Sequence, residues 1–332
     1  MDYLLVASLA LAVLFTIDLL ASMFVAGLWH CLSNRASEWP AAVRTRLLVA
    51  LRIFPLSTAF VVVLALFLPS YLLYEPRPAD EVFSMKLETL ASLSLIGIAM
   101  AVWRGLASLC ATRRLVAAWM RRAEVLTVEG SSLACFSVPH PFPVIAVVGI
   151  FRPRLFLSQR VLQSLDRQEL LAALEHELGH LHAQDNLKRV AMGCCRDLLS
   201  FMPCGGSLER AWKRAAESAA DEYAARRGGQ VALDLASALV KVARMVPEGA
   251  RPAMPVGVSL VGEEVGEIST RVRRLAQIAE SGTVFRQNKF ALNALSWSWF
   301  YLLFAAAIYL AVTPQSLQKL HAVIDSFFPF LN

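Results

Sequence analysis

The chain has 332 residues, 57% hydrophobic and 17% charged, with a formal net charge of +6. Its mean hydropathy of +0.52 is too apolar for an ordinary soluble protein, so a membrane must take some of that surface. The positive excess lies beside apolar segments, and no dense basic run interleaved with aromatics supports direct contact with nucleic acid.

Residues 4–28 form an apolar run long enough to span a bilayer, with no basic segment before it and no A-x-A cleavage site after it. It reads as a retained helix. The next loop carries Arg35, Arg44 and Arg46, which the positive-inside rule places in the cytoplasm with the N-terminus outside. A second span covers about 47–73, the acidic, proline-rich residues 74–81 form an outer loop, and a third span covers about 87–110. Arg113, Arg114, Arg121 and Arg122 then return the chain to the cytoplasm. Asp18 and Arg104 are the unusual residues inside these spans. At 1.5 Å per residue they lie about 21 and about 25 Å from the outer ends. They either pair, or face the bundle interior and the inner headgroups separately.

From 113 to 290 the pattern is that of a globular domain. Short β-rich runs at 124–128, 133–138, 144–150 and 155–157 predict a small sheet. Asp166, with Glu169 three residues on, makes a capping-box start to a helix over 167–184, whose expected buried stripe is Leu170, Leu171, Leu174, Leu178 and Leu181. The run 190–202 contains Arg196 and Asp197 and is too short to span, so it is expected as a buried or membrane-surface helix. Helices are predicted over 208–227 and 231–245, then a proline- and glycine-rich loop over 247–257 and a helix over 267–280 that is basic on one face. A fourth span is expected over 291–312, with Trp297, Trp299 and Tyr301 as an interfacial belt, and then a short extracytoplasmic tail, 313–332. The six cysteines show no disulfide-framework spacing. Cys194, Cys195 and Cys204 suit buried free thiols better than a second metal site.

The predicted helix over 167–184 contains His176-Glu177-Leu178-Gly179-His180, the HExxH pattern. His176 and His180 sit one turn apart on one face, so both imidazoles can hold a single Zn2+. Glu177 projects beside the metal, where it can take a proton from an activated water and later pass it to the leaving amine. A catalytic zinc needs a third protein ligand. Asn186 stands where the histidine of the longer HExxHxxGxxH pattern would be, so a downstream carboxylate is the alternative. Glu217 offers one, among small residues that permit close helix packing, and Asp221, one turn on, could hold the far nitrogen of a ligand histidine. Glu222 competes for the ligand role but points about 100° away from Asp221. His182 and Asp185, just past the motif, read either as partners behind the ligand histidines or, by preference, as a solvated helix end. His140 and Tyr223 are candidate oxyanion donors.

These residues carry a resemblance. The HExxH run, Glu217-Ser218-Ala219-Ala220-Asp221 and the upstream run Gly149-Ile150-Phe151-Arg152-Pro153-Arg154-Leu155-Phe156-Leu157-Ser158 are similar to membrane gluzincin proteases, above all the BlaR/MecR-type antirepressor and β-lactam-sensor family. The resemblance covers about residues 1–312. It implies a multi-pass helical membrane protein with four transmembrane helices and a cytoplasmic, zincin-like α+β metalloprotease domain over 113–290. It further implies one Zn2+ per chain on His176, His180 and Glu217, with Glu177 as general base and Asp221 behind the ligands. The strand containing Phe142, Val144, Ile145, Ala146 and Val147 resembles the edge on which such enzymes lay substrate by β-addition. The chain ends soon after the fourth span, so the extracellular penicillin-binding sensor of that family is not expected. The expected function is regulated cleavage of a protein such as a transcriptional repressor at the inner membrane surface, with room for a homodimer. The alternatives are quality control of membrane proteins, and a non-proteolytic transducer with a structural zinc.

Overall fold

A computed structural model describes residues 3–36, 38–74, 84–127, 134–195, 204–246 and 265–282, with isolated positions between 302 and 318. The fourth span, the tail and the loop expected at 247–257 therefore lie outside the described residues or nearly so. The chain is mostly helical. Three helices are long and apolar enough to cross a membrane: α1 (Tyr3–Ala36), the continuous helical stretch Ala41–Leu73 and α4 (Met85–Met120). The second of these comprises α2 (Ala41–Val61), a π-helical turn over Val62–Phe67 and α3 (Leu68–Tyr74). All three helices outrun the apolar stretches visible in sequence, because packing onto the domain keeps their ends helical past the last apolar residue. On α1 and α2, Val25, Leu48 and Leu51 pack with Leu208, Trp212 and Ala216 of α8 (Cys204–Ala225), so the membrane helices rest directly on the helix that carries Glu217.

The sheet has four short strands: β1 (Glu124–Leu126), β2 (Cys135–Val138), β3 (Ile145–Val148) and β4 (Arg154–Ser158), in spatial order β1-β2-β4-β3. β2 and β4 run parallel, while the β1–β2 and β3–β4 pairs are antiparallel, so β3 is an edge strand. Both faces are apolar, as expected of a sheet covered on both sides. Ile145, Val147, Leu155 and Leu157 pack with Val161 of α5 (Gln159–Ser164), Ala173 and Leu174 of α6 (Arg167–Ala183), and Ala238 and Val242 of α9 (Gly229–Met245). On the other face Val144, Ala146, Val148 and Phe156 meet Trp119, near the end of α4. That contact accounts for the ten residues of α4 beyond the expected end of the third span.

Helix α6 begins with the expected capping box. The Asp166 side chain accepts from the N–H groups of Gln168 and Glu169, and Glu169 accepts from the Asp166 N–H. The expected leucine stripe is only partly right. Leu174 is buried, but Leu170, Leu171, Leu178 and Leu181 are half-buried, while Glu169, Ala172, Ala173, His176, Glu177 and Gly179 are buried. The helix is enclosed on several faces rather than one, so its polar motif lies inside the domain. Gln184, in the left-handed conformation, ends α6, and α7 (Asp185–Cys194) follows directly. The helix expected over 190–202 is thus the end of α7, and residues 196–203 lie outside the described set. The last described helix, α10 (Val265–Ser281), lays Val272 and Leu275 against α9 and α8.

Candidate metal centre

His176, His180 and Glu217 each bring one ligand atom into a cluster whose members lie within 4.8 Å of one another. The Nε2 atoms of His176 and His180 are 3.2 Å apart. Glu217 Oε2 is 3.4 Å from His176 Nε2, and its Oε1 is 3.6 Å from His180 Nε2. Four donors about 2.0–2.1 Å from a tetrahedral zinc stand roughly 3.3 Å from one another, so the donor set fits that ion.

The far nitrogens explain why the near ones converge. His176 Nδ1 lies 2.9 Å from Asp221 Oδ1, and His180 Nδ1 lies 2.8 Å from Asp185 Oδ2. A proton on each Nδ1 directed at a carboxylate leaves both Nε2 lone pairs facing the cluster centre. Asp221 thus stands behind His176, on the side away from the cluster centre. For Asp185 the geometry favours the less expected of its two readings: it is buried at 3% exposure behind His180 instead of sitting on a solvated helix end. The left-handed Gln184 turns the chain sharply after α6 and brings Asp185 back toward His180. A five-residue spacing from the histidine held no helical signal for this.

Close packing of α6 on α8 brings Glu217 to the pair. Gly179 faces Ala220, and a Cβ there would stand 3.1 Å from Ala220 Cα and 3.2 Å from Tyr223 Cβ. Glu222, the competing ligand, points to Arg274 on α10 instead. Arg271 was not anticipated. It is buried at 7%, and its Nε and Nη2 donate to the two Asp221 oxygens at 2.8 and 2.7 Å. Its Nη1 lies 3.1 Å from Glu217 Oε2. The only sequence signal was one basic face on a predicted helix.

Burial opposes ionisation of Asp221, but the Arg271 charge and the bonds it receives outweigh that and hold it at about 2. Glu217 is likewise held well below the usual carboxylate range, with burial overcome by the charges of His180 and Arg271. For His180, burial is outweighed by Glu217 and Asp185, which raise it to about 10. Glu177 moves the other way, because burial pushes its carboxyl up. Its Oε2 accepts the Val147 N–H at 3.0 Å, which ties it to the edge strand.

Residues 146–208 match the profile of Peptidase family M48. No curated protein matches the chain. The M48 match runs from the edge strand through the HExxH helix, and it supports a metallopeptidase of gluzincin type. M48 peptidases are typically zinc-dependent, in keeping with the His-His-Glu group. Three helices long and apolar enough to cross a membrane accompany this M48-like segment.

The remaining expected residues fall around this centre. Val144 accepts the Ser158 N–H, so Val144 and Ala146 direct their backbones at β4, while Ile145 and Val147 direct theirs outward. Val147 is already engaged there, its N–H by Glu177 and its carbonyl by Asn186 Nδ2 at 2.9 Å. Asn186 also donates to the Gly149 carbonyl at 3.1 Å, so the residue in the third-histidine position ties α7 to the edge strand. Phe142 precedes the strand, and its N–H donates to His140 Nδ1 at 3.2 Å. The His140 ring meets Trp119 edge-on at 5.8 Å. The Tyr223 hydroxyl lies 3.3 Å from His182 Nδ1, with the two rings stacked. Among the described residues neither His140 nor Tyr223 contacts the ligand cluster.

Proposed function

We propose that the protein is a zinc endopeptidase held in the cytoplasmic membrane, with its catalytic domain on the inner side, and that it cleaves a protein substrate. The reading rests on one observation: two imidazoles present Nε2 to a shared carboxylate while each Nδ1 meets an aspartate, with an unligated, buried glutamate alongside. A structural zinc site does not need Glu177. When bound, zinc supplies a Lewis acid that acidifies a water and polarises a peptide carbonyl.

The chain's own groups account for the rest. Asp221 and Asp185 fix the tautomer and orientation of the two histidines. Glu177 accepts the proton released by the attacking water and delivers it to the departing amine. The Val147 N–H holds its carboxylate in place. A substrate in extended form adds at the outward-facing backbone of Ile145, next to the Glu177–Val147 contact. The favoured use is regulated removal of a transcriptional repressor or signalling protein, supported by the resemblance of the motif set to antirepressor proteases.

The test replaces Glu177 with Gln in the full chain. Zinc stays stoichiometric by elemental analysis, while the peptides separating wild-type from variant cells by mass spectrometry disappear. Full cleavage by the variant would sink the protease reading.

A further inference from the structure

We propose that a cleft between the end of α4 and the β3–β4 turn binds the phosphate headgroup of an anionic phospholipid. The cleft has a volume of about 530 Å3. Leu109, Arg113, Val116 and Met120 line one side, at spacings that put them on a single face of α4. The turn from Gly149 to Arg154 forms the other side. Arg113, Arg152 and Arg154 therefore converge on one space, and among the described residues no carboxylate lines it.

Among the described residues the three guanidinium groups have no carboxylate partner. None forms an ion pair among the described residues; Arg154 only lies over the Phe136 ring, 5.9 Å from its centroid. Arg113 and Arg152 are exposed, and so is Phe151, at 81%. The turn is constrained to this shape: Gly149 has φ of +116°, and a Cβ on it would stand 2.8 Å from the Arg152 carbonyl oxygen. Only glycine closes the chain this tightly and still leaves Phe151 and Arg152 at the tip.

The occupant follows from what lies at each end. Leu109 belongs to the apolar length of α4, which is long enough to cross a membrane, and the arginines stand where that length gives way to Arg113 and Arg114. A phospholipid carries both matching parts in one molecule: acyl chain for Leu109, Val116 and Met120, and phosphate for the planar guanidinium forks. An acidic peptide would satisfy the arginines and leave the apolar wall without a partner. The site would seat the catalytic domain against one leaflet at a point distinct from the metal centre.

The test uses the full chain in nanodiscs of phosphatidylcholine with and without phosphatidylglycerol, counting retained lipids by native mass spectrometry. The parent should keep phosphatidylglycerol in preference to phosphatidylcholine. Each guanidinium near a charged surface is worth about fivefold in affinity, so Arg113→Gln, Arg152→Gln and Arg154→Gln together should cost roughly a hundredfold. Arg114→Gln, exposed on the same helix but outside the cleft, should retain the lipid. If the triple variant does not fold, Arg152→Gln alone, at an exposed turn position, should still lose about fivefold. Equal retention of both lipids by the parent, or undiminished phosphatidylglycerol in the arginine variants, would overturn the proposal. So would displacement by millimolar inorganic phosphate, which would mark a free-anion site, or by a synthetic polyglutamate peptide, which would mark a peptide site.

Discussion

Arg271 grips Asp221 through two parallel hydrogen bonds, Nε to Oδ2 at 2.8 Å and Nη2 to Oδ1 at 2.7 Å, and Asp221 in turn lies 2.9 Å from His176 Nδ1. A residue 95 positions beyond the histidine in sequence thus sets the orientation of a candidate ligand. The clamp also reaches Glu217, so one guanidinium offsets two buried carboxylates.

Replacing Arg271 with Lys keeps the charge and loses the fork, so it should not restore the site. Residues behind metal ligands cost about 10–100-fold in metal affinity when removed. We expect zinc affinity, measured by competition with a chelator, to fall by that order in Arg271→Gln and by nearly as much in Arg271→Lys. Parental affinity in the lysine variant would mean that charge alone, not orientation, is what Arg271 provides.

Gly179 tests the approach of α6 to α8. Alanine there gains about 0.8–1.0 kcal/mol of helix propensity, yet its Cβ would meet Ala220 at 3.1–3.3 Å, between Glu217 and Asp221 in sequence. The two effects oppose. Thermal unfolding of zinc-stripped Gly179→Ala should stay close to the parent while zinc affinity drops several-fold, and Gly179→Leu should lose zinc altogether. Calorimetric titration showing parental affinity in the leucine variant would rule out close packing as what places Glu217.

Glu169 gives a pH dependence away from the metal centre. Burial opposes its ionisation, but hydrogen bonds from Lys241, Ser237 and the Asp166 N–H outweigh this and lower its pKa. The folded value lies below the unfolded one, so this stabilisation is complete above the unfolded value of about 4.3 and is lost as pH falls through the folded value. Glu169→Gln should cost about 1.5–3 kcal/mol at pH 7, the range for hydrogen bonds to a charged group. Lys241→Met should cost less, since the Lys241 side chain is 42% exposed. Unfolding free energies of parent and Glu169→Gln should converge as the pH is lowered from 7 to below about 4.3. A constant gap would remove the charge from the explanation.

Much of this molecule was legible in local pattern. Apolar runs announced three long helices, because bilayer-length hydrophobicity needs no partner to be recognised. Asp166 and Glu169 announced the start of α6, because a capping box is closed within four residues. The β-rich runs located four strands, but not the order β1-β2-β4-β3, which depends on pairings between segments far apart in sequence. The expected leucine stripe failed for a related reason. Single-face periodicity describes a helix at a surface, and α6 is enclosed on several sides.

The site divides along the same line. His176, Glu177 and His180 follow from the sequence alone, since one helical turn places them together whatever surrounds them. Spacing also singled out Glu217 and Asp221, but with Glu222 as a rival. Only tertiary structure separated them, by turning Glu222 to Arg274 and Glu217 to the histidines. Arg271 came from tertiary structure entirely, and Asp185, open to two readings in sequence, was decided by it. Asp185 depends on the reversal at left-handed Gln184, Arg271 on a helix packed from across the domain, and a contact made by chain reversal or by docking leaves no period in the sequence.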